Sequence, residues 1–128
     1  MILPRPDSLA EVASRVNGGA AFEFELSDFL HEFARCGTAA MLDERPQLLR
    51  DQSSLGSVYD AYLAAVGVSL AVRLGSKAPQ WTKDLDRVLS RPWFASPSHH
   101  MRALLLVESP AAFRERNLFV TANALSVA

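Results

Sequence analysis

Hydrophobic positions recur at helical spacing along most of this chain and at strand spacing nowhere long enough to build a sheet. Ser8-Leu9-Ala10-Glu11 has capping-box spacing, Leu9, Val12, Ala13 and Val16 follow at helical intervals, and Gly18-Gly19 ends the segment, so the pattern predicts a helix of about two turns. From about Ala20 to Cys36, Phe22, Leu26, Phe29, Leu30 and Phe33 fall on one face, with Glu25, Asp28 and Glu32 on the other. Phe24 lies far from that apolar stripe and reads either as a residue before the helix or as an exposed aromatic. Thr38 is placed to cap a short helix through Ala39, Met41 and Leu42, which Pro46 stops. Residues 47–54 read as a connector, with Ser53 or Ser54 as the cap of the next helix.

The longest predicted helix runs from about Leu55 to Leu74 and is closed by Gly75. It has no charge between Asp60 and Arg73. Tyr59, Tyr62, Leu63, Val66 and Leu70 make one face, and Ala61, Ala64, Ala65, Val68 and Val72 another. A helix apolar nearly all round is buried on several sides, so it is expected at the centre, with Ala64, Gly67 and Ala71 admitting a close neighbour. The alternative is a face used for self-association. The uncharged stretch from Ala61 to Val72 rises about 18 Å, short of a bilayer core, so no membrane span is expected.

Beyond Gly75 the segments shorten. Trp81 reads as a buried loop aromatic, and Thr82 as the cap of a short helix through Leu85, Val88 and Leu89. Ser96 or Ser98 caps a helix carrying Met101, Leu104, Leu105 and Val107; Ser109-Pro110 starts another over 111–116. Asn117 suits a left-handed position, Leu118-Phe119-Val120 is too short for a strand, and Thr121 caps a last turn through Leu125. The expected fold is all-α. One domain over residues 1–128 forms a compact multi-helix bundle around a central helix at about 55–74, with a loop-rich C-terminal lobe of short helices anchored by Trp81, Trp93, Phe94 and Phe113. Trp93 is expected to be largely buried, with Trp93→Ala costing about 3–5 kcal/mol.

Composition adds little to this picture: 128 residues, 49% apolar and 21% charged, are an ordinary globular mix. Cys36 is the single cysteine, which excludes an internal disulfide and any multi-cysteine zinc site within one chain, and suits a reducing cytoplasm. Net charge is −1, but residues 1–44 carry eight acidic groups against three basic, and residues 45–128 six against ten. The halves either attract each other within the fold or present a polar surface to a partner.

No phosphate-binding loop, dinucleotide fingerprint, HExxH or GxSxG motif is present. His31 and Cys36 are five apart, which puts them on different helical faces, and His99-His100 reads as two exposed residues. No catalytic constellation, metal site or cofactor is expected. Lys77, Lys83, Arg87, Arg91, Arg102, Arg114 and Arg116 surround Trp81 and Trp93, a composition used in nucleic-acid stacking, but they read better as solubilising groups around buried aromatics. The sharper expectation is an acidic ridge of Glu25, Asp28 and Glu32, with Phe24 beside it, that meets a basic partner.

Arg91-Pro92-Trp93-Phe94, followed by the run from Arg102 through Ser109-Pro110-Ala111-Ala112-Phe113-Arg114 to Val120, resembles a group of small bacterial antitoxin-like proteins. Pro46, the alanine-rich helix and Ala78-Pro79-Gln80-Trp81 extend the resemblance over about residues 41–125. It implies a protein encoded beside a nucleotidyltransferase-like toxin, which it binds and neutralises. Some members of that group carry an N-terminal helix-turn-helix. Residues 1–40 here do not resemble one, and an acidic helix opposes phosphate contact, so direct nucleic-acid binding is not expected. The expected function is therefore a cytoplasmic, non-enzymatic interaction protein. The alternative is a nucleic-acid-associated regulatory module using the basic C-terminal lobe.

Overall fold

The structure, a computed structural model, describes residues 4–96 and 98–126. It is mainly helical, with six α-helices and two short strands among the described residues. Helix α1 spans Leu9–Asn17. The Ser8 hydroxyl accepts the Glu11 amide at 3.0 Å, and Glu11 reaches back to accept the Asp7 amide at 2.8 Å, so two orphan donors at the helix start are satisfied. Helix α2 spans Phe22–Cys36 and buries the five residues of the predicted stripe. It lacks a side-chain cap, but Glu23 and Glu25 lie in its first turn, where the helix dipole favours negative charge. Arg15 bridges the two helices, pairing with Glu11 at 2.7 Å and Glu25 at 3.2 Å. Helix α3 is a single turn, Ala40–Asp43, held by the Thr38 carbonyl and not by its hydroxyl.

Helix α4, Gly56–Leu74, is the longest element and packs against the 80–87 segment and against residues 111–114 and 118–119. No serine side chain caps it; the Ser53 carbonyl accepts the Gly56 amide instead. Gly75 ends it with φ 69°, a left-handed conformation that donates back to Ala71 and Val72. Gly56 is required for a different reason. A Cβ there would lie 1.8 Å from the Leu49 carbonyl oxygen, so the connector crosses the helix start at backbone contact. Gly67 gives Trp81 a flat seat, its absent Cβ lying 3.3 Å from the indole. At nineteen residues α4 has the length and hydropathy of a membrane span, so the uncharged stretch alone is too short a measure. Its buried face and its fully buried Asp60 suit a helix enclosed by protein. Val72, placed on an apolar face, is exposed.

The chain after α4 departs most from expectation. Instead of a helix through Leu85, Val88 and Leu89, two 3-10 turns form, Gln80–Lys83 and Leu85–Arg87, with Asp84 extended between them. Trp81 and Arg87 both point inward. Six residues apart, they would face well away from each other on one straight helix, so the break at Asp84 lets both be buried while Leu85 is turned out at 89% exposure. Thr82 bonds back to the Pro79 carbonyl at 2.6 Å.

Strands β1, Trp93–Phe94, and β2, Leu118–Phe119, form a two-residue parallel ladder, although so short a tail segment does not predict pairing. Helices α5, His99–Glu108, and α6, Ala111–Arg114, make the crossover between them. Asn117, at φ 62°, turns the chain into β2 and donates to the Leu89 carbonyl at 2.6 Å. Of the apolar residues assigned to α5, Leu105 alone is buried; Leu104 and Val107 face out. Trp93, expected to be largely buried, is half-buried, as is Phe94, which stacks on Phe119; Trp81 and Phe113 are buried.

Arg87 and Arg116 depart from the expectation of solubilising groups, since both are buried, whereas Lys77, Lys83, Arg91 and Arg114 are exposed as expected. Arg87 donates to the carbonyls of Pro46 and Asp60 and lies over the Trp81 ring at 4.8 Å. Arg116 donates to the carbonyls of Ala112 and Thr82, each at 2.8 Å. Asp60 accepts the Leu49 amide at 2.7 Å. Backbone groups buried away from water at loops and helix ends, such as the carbonyls of Pro46, Thr82 and Ala112 and the Leu49 amide, need partners, and these side chains reach them.

Candidate functional site

An aromatic chain crosses the molecule. Phe22 of α2 stacks on Tyr59 of α4 with ring centres 4.2 Å apart and meets Tyr62 edge-on at 5.6 Å; Tyr62 in turn meets Phe113 of α6 edge-on at 5.0 Å. Where this chain reaches the surface, a cleft of about 360 Å³ opens. Phe22, Leu26 and Leu30 of α2 form one wall, and Val58, Tyr59 and Tyr62 of α4 the floor. Trp93, Ala95, Val120 and Thr121 close the far side. The volume lies at the lower end of the range for ligand and peptide-anchor pockets, and predominantly apolar walls with a few polar groups are their usual composition.

The polar groups of the cleft are few. The hydroxyls of Tyr59 and Tyr62 have no hydrogen-bond partner among the described residues, yet neither is sealed from solvent. Burial pushes both phenols above their ordinary value, and the Glu23 carboxylate pushes Tyr59 the same way, so both are neutral O–H groups at physiological pH. Glu23 and Ser27 stand on the α2 lip, and among the described residues no lysine, arginine or histidine lines the opening.

The acidic face of α2 is divided by its neighbours. Glu25 faces α1 and is paired with Arg15; Glu32 is paired with Arg35 at 2.6 Å, which holds its carboxyl below the usual range. Two of the three predicted ridge residues are thus matched by arginines of the same chain. Glu23, on the opposite flank, and Asp28, on the outward face, have no ion-pair partner among the described residues. Phe24 is within the helix and 75% exposed, one turn before Asp28. Glu23 carries the free charge nearest the cleft. Sequence reasoning passes over it because it sits beside the apolar stripe, although the boundary of such a stripe is where a groove-lining carboxylate belongs.

The other candidate groups do not converge. His31 Nδ1 lies 2.9 Å from the Ser27 carbonyl, and the exposed Cys36 thiol points at Glu32 at 3.5 Å. His99 and His100 are exposed on the first turn of α5. Among the described residues no three histidine, cysteine or acidic side chains gather as metal ligands. Burial of Arg87 and Arg116 removes two of the seven basic groups from any nucleic-acid surface, and Arg102 lies against the Phe94 ring at 5.1 Å.

No family model, curated protein or solved structure matches this chain.

Proposed function

We propose that this chain is a non-enzymatic interaction protein that docks a protein partner in the cleft between α2, α4 and the β1–β2 edge. One observation carries the reading: an aromatic-walled, apolar opening where the Tyr59 and Tyr62 hydroxyls and the Glu23 carboxylate have no hydrogen-bond or ion-pair partner among the described residues. A partner segment seated there would cover the exposed apolar edges of Tyr59, Tyr62 and Trp93, and the flanking Phe24 and Asp28 would widen the contact. In this reading the helices form a bundle around α4, and the short C-terminal helices brace one wall of the cleft.

The form of interaction that the resemblance over residues 41–125 implies is antitoxin-like: a cytoplasmic protein that holds a nucleotidyltransferase-like toxin encoded beside it and covers the toxin's active cleft. The free charges at Glu23 and Asp28 suit a partner surface that otherwise holds phosphate. Co-expression with the protein encoded beside it tests this. The pair is expected to co-purify and the partner's toxicity to be suppressed. Ser27→Trp, which fills the cleft from an exposed helical position, is expected to abolish both. A complex indifferent to Ser27→Trp would refute the cleft as the docking site, and a neighbour that neither binds nor is suppressed would refute the antitoxin assignment.

A further inference from the structure

We infer that the cleft takes an arginine side chain of the partner, its guanidinium lying among Tyr59, Tyr62 and Trp93 and pairing with Glu23 on the α2 lip. The inference deepens the docking reading and rests on it. Three half-buried aromatic rings and one carboxylate, around an opening that no basic side chain among the described residues lines, attract a cation by both charge and ring quadrupole. The rings are held in place beforehand. Phe22 packs flat on Tyr59 and edge-on to Tyr62, so neither tyrosine is free to swing across the opening.

The polar inventory fits the same guest. Both phenol oxygens have lone pairs with no donor among the described residues, and Glu23 accepts without donating. A leucine or phenylalanine anchor would bury those acceptors unanswered, whereas a guanidinium brings five N–H donors. Arginine suits the place better than lysine because its planar head is weakly hydrated, stacks on aromatic faces and meets a carboxylate with two parallel hydrogen bonds. Its aliphatic stem would run along the apolar walls offered by Leu26, Leu30 and Val58.

The test is an amide NMR titration of the full chain with the peptide acetyl-Gly-Arg-Gly-amide and with its citrulline counterpart, which keeps the shape and loses the charge. The arginine peptide is expected to shift the amides of Glu23, Ser27 and Tyr59 and the indole of Trp93. The citrulline peptide should bind about tenfold more weakly or not at all, as should the arginine peptide to Glu23→Gln, a change at an exposed position. Tyr59→Leu keeps an apolar wall without the ring face and is expected to weaken the arginine peptide while leaving any citrulline binding as it was. Equal binding of the two peptides, shifts away from the cleft, or none up to the solubility limit would overturn the inference. If any of these occurs while Ser27→Trp still breaks the partner complex, the docking site stands and its occupant is not arginine; if the complex also ignores Ser27→Trp, both readings fall.

Discussion

Trp81, not Trp93, is the indole on which stability depends, and paired substitutions put a magnitude on the difference. Trp81 is 6% exposed, its edge packs on Gly67, Arg87 lies over its ring, and its Nε1 donates to the Leu42 carbonyl at 2.9 Å. Trp81→Ala empties a site hemmed in by α4 and the connector, so about 3–5 kcal/mol is expected from lost burial and the residual cavity. At roughly 4 °C per kcal/mol for a domain of this length, the melting temperature should fall by about 12–20 °C, a large share of the ~5–15 kcal/mol available to such a domain. Trp81→Phe separates the contributions: it keeps most of the apolar volume but leaves the Leu42 carbonyl without its donor, for about 1–3 kcal/mol. Trp93 is half-buried, and water can follow its removal into the cleft, so Trp93→Ala should cost only about 1–2 kcal/mol, below the 3–5 kcal/mol that its sequence context suggests. Urea unfolding followed by far-ultraviolet circular dichroism reads all three without depending on the fluorescence of the missing ring. A Trp93→Ala variant that loses more than Trp81→Ala would refute the assignment of the two indoles.

Three further outcomes follow from the connector between α3 and α4. Gly56→Ala is expected to cost about 3 kcal/mol, at the upper end of overpacking, because its methyl would meet the Leu49 backbone; Gly18→Ala, at φ −83° with no atom closer than 3.5 Å to the added carbon, should change stability little, and a thermal melt compares the two. Arg87→Met should cost about 3 kcal/mol, since it removes the positive charge that lowers the buried Asp60 carboxyl and leaves the Pro46 carbonyl without its donor, and adding Asp60→Asn should restore part of that loss in a double-mutant cycle by chemical denaturation. Burial raises the Asp60 carboxyl above its ordinary value, outweighing the Leu49 amide and the Arg87 charge that lower it. The stability Asp60 contributes through this shift is therefore present below its unfolded value near 3.8 and lost as pH rises through the folded one. Relative to the parent, Asp60→Asn should gain stability on going from pH 3.5 towards neutrality, as urea midpoints across that range would show, and an opposite slope would mean the carboxyl is held low.

The helical half of the molecule is legible in the sequence because its burial is periodic. The stripe Phe22, Leu26, Phe29, Leu30, Phe33 and the small residues Gly67 and Ala71 state their contacts in their spacing, as does Gly75 its left-handed turn. Residues 76–96 are not legible, because there the interior is assembled from separate side chains and not from a face. Trp81 and Arg87 enter the core from two short turns broken at Asp84, and no period links them. The cleft is partly legible. Phe24 and the acidic positions of α2 are visible, but the distinction between Glu25, matched by Arg15 from α1, and Glu23, left open beside Tyr59, depends on which flank of α2 each neighbour covers.

The buried arginines explain why charge counting misleads most in the C-terminal half. A segment without regular structure cannot pair its own carbonyls, so burying it requires donors from elsewhere. Arg87 answers Pro46 and Asp60, and Arg116 answers Ala112 and Thr82; each spans two segments that no helix or strand ladder joins. Burial lowers the affinity of each guanidinium for its proton, and what each contributes to these contacts is a long side chain with several N–H donors. Of the seven basic residues in this loop-rich stretch, two therefore add nothing to a basic surface.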